Sequence, residues 1–316
     1  MELVPSKKNI MNIFTENTVF FASSFLAEAL DAKLYVMKEQ YNNFWGISTK
    51  TEPIYCGDNL ENINNDDITI IATYPLKKLS KRIEAKEFNR VNVILCDSGA
   101  FKHYMWWNDF IKNNSINLYL MPDIAPFSLI AYKPIYQYIK IHNSLILPKR
   151  TDKLLVTHSP KNRSKMNKKG SSTIIRIVND LQKKYDFDFK LIHNLFPDEA
   201  IMEKSKSHIF IDQLIYDNKE INQSIFGGKI TYNGGLGKSG IEGMLMNCCV
   251  ITGGKVPETE PHFAPPPITW TSYDKFYEDL KGLIIDEEKR NKQIEEQDKW
   301  LLQYNNKEFF RKYLTE

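Results

Sequence analysis

The chain has 316 residues, 42 of them basic and 39 acidic, for a formal charge of +3. With 42% apolar and 12% aromatic residues its composition is globular, which excludes a disordered or fibrous chain. So small a positive excess gives no bulk attraction to nucleic acid and leaves room only for a local basic patch.

Short apolar runs recur along the chain, each followed by a polar or amphipathic stretch. Asn9–Phe14 reads as a first strand, and Val19–Leu30 has apolar residues at helical spacing. Leu34–Met37, Ile68–Tyr74, Val91–Cys96 and Asn117–Met121 are further strand candidates. The runs are continuously apolar rather than alternating, as parallel strands covered on both faces should be. A second series starts near residue 152. Leu154–Thr157 predicts a strand, Ser172–Lys184 an amphipathic helix, Phe189–Ile192 a strand, Pro197–Lys204 a helix and His208–Ile211 a strand. Gly240–Met246 reads as a helix start, Cys249–Thr252 as a strand, and Tyr273–Ile284 and Glu287–Gln303 as late helices.

This alternation implies βαβ units and two doubly wound, Rossmann-like parallel-sheet domains of the α/β class. The restart places a boundary near residue 148, with domains at 1–148 and 149–295 and a C-terminal helix at 296–316. The stretch LLQYNNKEFFRKYL reads as one amphipathic, basic helix that either packs back on the first domain or touches a membrane surface through Phe309, Phe310, Arg311 and Lys312. Ligands of such sheets bind beyond the carboxyl ends of the strands, so the expected site is a cleft between the domains.

Cys56, Cys96, Cys248 and Cys249 match no zinc spacing, and Cys248 and Cys249 sit in an apolar run. They read as buried free thiols, which suits a reducing compartment. The N-terminal apolar run is too short for a signal peptide, and no stretch approaches the ~20 apolar residues of a membrane span. The expectation is a cytoplasmic protein, with peripheral membrane contact left open.

Two clusters carry chemistry. In THSPKNRSKMNKKGSS, residues 157–172, Arg163, Lys165, Lys168 and Lys169 gather positive charge between a strand and a helix. Ser159 opens the loop, and Gly170, Ser171 and Ser172 supply backbone N–H groups. A helix N-terminus beside cations is a site for a phosphate or diphosphate; the alternative is a solvated basic loop. In YNGGLGKSGIEGM, residues 232–244, Gly235, Leu236, Gly237, Lys238 and Ser239 form a loop whose glycines let backbone approach a ligand closely. Glu242 follows in the first turn of a helix, where it either accepts hydrogen bonds from paired sugar hydroxyls or complements the helix dipole. Gly237-Lys238-Ser239 also invites a P-loop reading, but G-x-x-x-x-G-K-[ST] needs glycine at position 232 and the chain has Tyr232, which leaves an NTPase as the minor alternative.

The order of elements over residues 150–290 resembles the donor-binding domain of GT-B glycosyltransferases, especially the retaining group called family 4. THSPKNR…KKGSS is similar to that family's diphosphate-binding loop, which implies this role for Arg163 and Lys169. SHIFIDQL resembles its strand ending in Asp-Gln, here Asp212 and Gln213, which faces the donor. GGLGKSGIEGMLMNCCVITGG resembles its E-x7-E region; the second Glu matches Glu242, implying a contact to the donor ribose. The first Glu is replaced by Gly234, which removes the residue that usually touches the transferred sugar.

The resemblance implies transfer of a sugar from a UDP- or GDP-linked donor, with retention and no bound cofactor beyond that co-substrate. No Asp-x-Asp motif is present, so Arg163, Lys169 and the 237–240 turn are expected to stabilise the leaving diphosphate without a metal. In the first half, Asp97 follows a strand and is the candidate for acid–base work or substrate contact, or a turn cap. His193 is placed near the nucleobase. Glu16, Asn17, His103, Trp106, Trp107 and Asp123 are weaker candidates for ligand contact, the tryptophans reading more readily as core. The acceptor is a glycan, a lipid-linked sugar or DNA carrying a hydroxymethylated base; a binding protein that has lost catalysis is the alternative to an enzyme.

Overall fold

A computed structural model describes residues 11–15, 20–36, 53–56, 63, 66–72, 77–95, 104–120, 132–136, 139–141, 145–160, 169–214, 220–221, 230–231, 235–254, 256 and 263–315. The described chain falls into two compact units, one drawn from residues before 139 and after 306, the other from 139–306.

The first unit is a seven-stranded parallel sheet in the order β3-β2-β1-β4-β5-β6-β7. Its strands are β1 (Met11–Thr15), β2 (Lys33–Val36), β3 (Pro53–Tyr55), β4 (Asp67–Ala72), β5 (Val91–Leu95), β6 (Asn117–Leu120) and β7 (Lys133–Pro134). The helices are α1 (Phe20–Leu30), α2 (Lys77–Glu84) and α3 (Tyr104–Asn114). All five residues of β1 are buried, as its apolar run requires. On α3, Trp107 is buried and packs edge-on against Trp106, which stacks on Phe110 at 4.9 Å, so these rings are committed to packing.

The second unit has a five-stranded parallel sheet in the order β14-β13-β10-β8-β9. Its strands are β8 (Leu155–His158), β9 (Asp188–Leu191), β10 (Ile209–Ile211), β13 (Cys249–Gly253) and β14 (Thr269–Thr271), with a separate antiparallel pair, β11 (Glu220–Ile221) and β12 (Ile230–Thr231). The helices are α4 (Ser171–Gln182), α5 (Pro197–Ser205), α6 (Lys238–Leu245), α7 (Phe276–Ile285) and α8 (Glu287–Tyr304). On α4, Ile174, Ile177, Val178 and Leu181 recur at helical spacing and enter a core with Val156, Ile209, Ile251 and Leu280. The amides of Gln293 and Gln297, one turn apart on α8, satisfy backbone groups of β13: Val250 N–H donates to Gln297 Oε1 and Gln293 Nε2 donates to Val250 O.

The single C-terminal helix expected from the sequence is interrupted. α8 ends at Tyr304, and Asn305 pins the Ile139 backbone from both sides, accepting its N–H at 3.1 Å and donating to its carbonyl at 2.8 Å. A separate helix, α9 (Lys307–Thr315), belongs to the first unit and packs on α1 with Phe310, Tyr313 and Leu314 buried. Asn92 of β5 donates to Leu314 O at 3.0 Å, and the Tyr119 hydroxyl of β6 donates to Tyr313 O at 2.9 Å. Phe310 therefore faces the protein rather than a membrane. Among the described residues no helix is long and apolar enough to cross a membrane. Cys56, Cys248 and Cys249 are buried free thiols, and burial pushes Cys248 and Cys249 up to about 12; Cys96 lies outside the described residues.

His158, at the end of β8, has no solvent exposure. Its Nδ1 lies 2.8 Å from Ile211 O, which can only accept, so Nδ1 carries the proton. Nε2, 2.7 Å from the Ser171 hydroxyl, then accepts from it. One neutral imidazole thus ties β8, β10 and the start of α4 together. Burial is the main cause that holds this ring near pKa 4 instead of 6.5. Just before α4, Gly170 has φ +70°, and a Cβ there would lie 1.7 Å from Leu214 O.

Gly170→Ala should therefore cost about 2–4 kcal/mol, combining left-handed strain with a backbone clash, as read from urea unfolding. Because the folded His158 binds a proton less readily than the unfolded one, its contribution is complete above pH 6.5 and is lost as pH falls towards 4. The loss is about 3 kcal/mol. His158→Gln should flatten the stability–pH slope in that window, the remaining slope coming from His208, whose pKa burial also lowers, and at the acid end from Glu203 and Glu242, whose carboxyls their lysine partners hold below the usual range. An unchanged slope would show that His158 is not the titrating group.

Candidate functional site

In chain order the second sheet runs 5-4-3-1-2, so its strand connections reverse direction between β8 and β10. In a doubly wound sheet such a reversal is where ligands bind, in the crevice beyond the carboxyl ends of the two strands. The segment after β8 returns at Lys169 and the segment after β10 begins with Asp212. The loop of residues 235–237 leads into α6 beside them.

Asp212 organises this crevice. It is fully buried, and its carboxylate receives the Lys169 ammonium at 3.1 Å on Oδ1 and the Gly237 N–H at 2.7 Å on Oδ2. The sequence reading had Asp212 facing a donor; the structure turns it inward, as the counter-ion of Lys169 and the partner of the helix start. The backbone joins the same segments, since Leu214 N–H donates to Lys169 O at 2.9 Å. Gly240 permits this approach: a Cβ there would stand 3.2 Å from Asp212 Oδ2 and 2.2 Å from Leu236 Cδ1. Gln213 donates its side-chain amide to Gly235 O, which also accepts the Thr252 hydroxyl at 3.3 Å. Gly235 and Leu236 are therefore buried anchors of the loop, while Gly237, Lys238 and Ser239 are half-buried at its tip.

Of the N-terminal N–H groups of α6, that of Gly237 goes to Asp212 and that of Gly240 to Gly237 O at 3.0 Å. Lys169 keeps a quarter of its side chain exposed. Ser159, after β8, is half-buried. His193 follows β9 at the same edge of the sheet, and its Nδ1 is buried without a hydrogen-bond partner.

Glu242 lies one turn into α6 and is 6% exposed. Its Oε1 meets Lys238 at 3.1 Å, and its Oε2 pairs with Lys204 of α5. Lys204 is itself buried and sits 5.4 Å above the Phe210 ring. Burial alone would raise the Glu242 carboxyl, but the two ammonium groups outweigh it and bring the group to about 2. The sequence placed Glu242 against a ribose; the structure gives its oxygens to two lysines.

Arg163 and Asp97 lie outside the described residues, as do Glu16, Asn17, His103 and Asp123. Sequence reasoning assigned no role to Lys204 or to the His158–Ser171 pair. His158 stands inside the basic-loop segment, so its place beside a strand end was a usable signal. Lys204 gave none, because its partner is 38 positions away. Among the described residues no three or more His, Cys, Asp or Glu side chains gather into a possible metal-ligand set.

No protein-family model matches this sequence, and no curated protein does. Solved structures do match the fold. The chain aligns over 97% of its length with the glycotransferase of kitacinnamycin, covering 97% of that chain at 8% identity and a TM-score of 0.53. It aligns equally far with the spinosyn rhamnosyltransferase SpnG complexed with thymidine diphosphate, covering all of that chain at 8% identity and a TM-score of 0.54. Two parallel doubly wound sheets in one chain, shared across the whole length of both enzymes, make this a protein of the GT-B fold.

Proposed function

We propose that the chain is a glycosyltransferase that moves a sugar from a nucleoside-diphosphate donor to an acceptor hydroxyl. The observation that carries this reading is the meeting of Lys169 with the N-terminus of α6 at the strand-order reversal of the second sheet. That edge is where a doubly wound sheet binds nucleotides, and a cation beside a helix start suits a diphosphate. Two solved glycosyltransferases with this fold support it, one of them complexed with thymidine diphosphate. The unpartnered His193 Nδ1 offers a further polar contact at the same edge.

The acceptor oxygen attacks the anomeric carbon, the bond from that carbon to the diphosphate oxygen breaks, and the acceptor proton passes to the leaving phosphate. Charge grows on the leaving group, so a cation and N–H dipoles aimed there lower the barrier more than they stabilise the bound donor. Lys169 and the turn at Lys238 and Ser239 fill this role, with Arg163 added from the basic loop. Retention of anomeric configuration and independence from divalent metal follow the family resemblance, with UDP, GDP or TDP as leaving group.

Thermal unfolding with a panel of UDP-, GDP- and TDP-sugars tests the reading. A donor at a hundred times its Kd should stabilise the chain by about 2.7 kcal/mol. If none of the panel stabilises it, the proposal fails. Donor hydrolysis then separates a transferase from a binding protein, and its rate should be unchanged by EDTA. Lys169→Ala should weaken donor binding about tenfold or more, the scale of one lost charge-assisted hydrogen bond. Lys169→Arg, which keeps a cation beside Asp212, should recover most of that loss.

A further inference from the structure

Glu242 occupies the position where a carboxylate would read the sugar hydroxyls of a nucleotide, yet its surroundings assign it other work. Reading a vicinal pair of hydroxyls takes a carboxylate edge open to the ligand. Both oxygens of Glu242 instead face ammonium groups: Lys238 at 3.1 Å on Oε1 and Lys204 on Oε2. The two cations are not equivalent. Lys204 is 4% exposed at its side chain and held over the Phe210 ring, so it is a fixed internal counter-charge. Lys238 is 32% exposed at its side chain and stands at the first position of α6, beside the turn proposed to hold a diphosphate.

A carboxylate fixed by a buried cation on one side can hold a mobile cation on the other. The four-residue spacing on one helix, with side chains leaning towards the helix N-terminus, brings the Glu242 carboxylate back to the Lys238 ammonium. Restricting a long side chain in advance removes part of the ordering cost that binding an anion would otherwise incur.

Resting on the glycosyltransferase reading, we propose that Glu242 is a positioning residue for Lys238, and that discrimination between ribose and 2′-deoxyribose donors does not run through its carboxylate. Glu242 acts on the diphosphate at one remove. Its loss should weaken every nucleoside diphosphate by the same factor, whether or not a 2′-hydroxyl is present.

The test measures the Kd of UDP and of dUDP by calorimetry for the wild type, Glu242→Gln, Lys238→Met and the double variant. Glu242→Gln should weaken both nucleotides about three- to tenfold and leave their Kd ratio within about twofold of wild type. Lys238→Met, which keeps the buried Lys204–Glu242 pair, should give the same common loss. The double variant should be no weaker than Lys238→Met alone, since both changes remove one cation's contribution. A ratio that moves more than about fivefold in Glu242→Gln would overturn the proposal and restore a hydroxyl-reading role. So would a Lys238→Met protein with wild-type affinity, an arm that stands even if Glu242→Gln fails to fold. If the wild type binds neither nucleotide nor any donor of the panel, the glycosyltransferase reading falls and this proposal falls with it; a shifted ratio in a protein that binds overturns this proposal alone.

Discussion

A carboxylate with no access to water must find its donors inside the protein, and Asp212 finds them on two different loops. Lys169 comes from the segment after β8, and Gly237 from the segment before α6. An unpaired buried charge would cost several kcal/mol, so either both loops come to Asp212 or the strand end that carries it cannot stay buried. The Leu214 N–H bond to Lys169 O and the clearance over Gly170 belong to the same closure. His158 completes it from below, fixing the start of α4 against the end of β10. These contacts therefore fix the described ends of the three segments against one another.

The charge balance around α6 follows the same logic. Among the described residues, Lys169 pairs with Asp212, and Lys204 and Lys238 both pair with Glu242, beside the partial positive charge of the helix N-terminus. Pairing keeps the ammonium groups where they are in the absence of ligand.

Much of this was legible in the sequence. The buried strands announced themselves as continuous apolar runs, because parallel strands covered on both faces have no solvent side to mark. The strands that escaped, β3, β7, β11, β12 and β14, are all sheet edges of two or three residues, and β3 and β7 carry Pro53 and Pro134, which edges tolerate. Helix α2 escaped because only Leu79 and Ile83 mark its buried face among charged neighbours. The break after Tyr304 could not be read, since the side chain that fixes it bonds to a residue 166 positions away. In the site, spacing and resemblance brought Lys169, Asp212 and Gly237 onto one list. They did not show that Asp212 points inward or that Glu242 has a buried lysine for a partner. The second fact depends on α5, whose residues carried no sign of taking part, and the first on Gly237 N–H and Lys169 meeting one carboxylate from two separate segments.

The buried thiols carry a practical consequence. Attack on an alkylating or oxidising reagent requires the thiolate, and in Cys248 and Cys249 burial holds the thiol form to about pH 12. Cys56 is shifted the same way. Burial keeps these three sulfurs in the thiol form and out of a reagent's reach, and opening of the sheets would expose them, so uptake at Cys248 and Cys249 would report opening of the second unit.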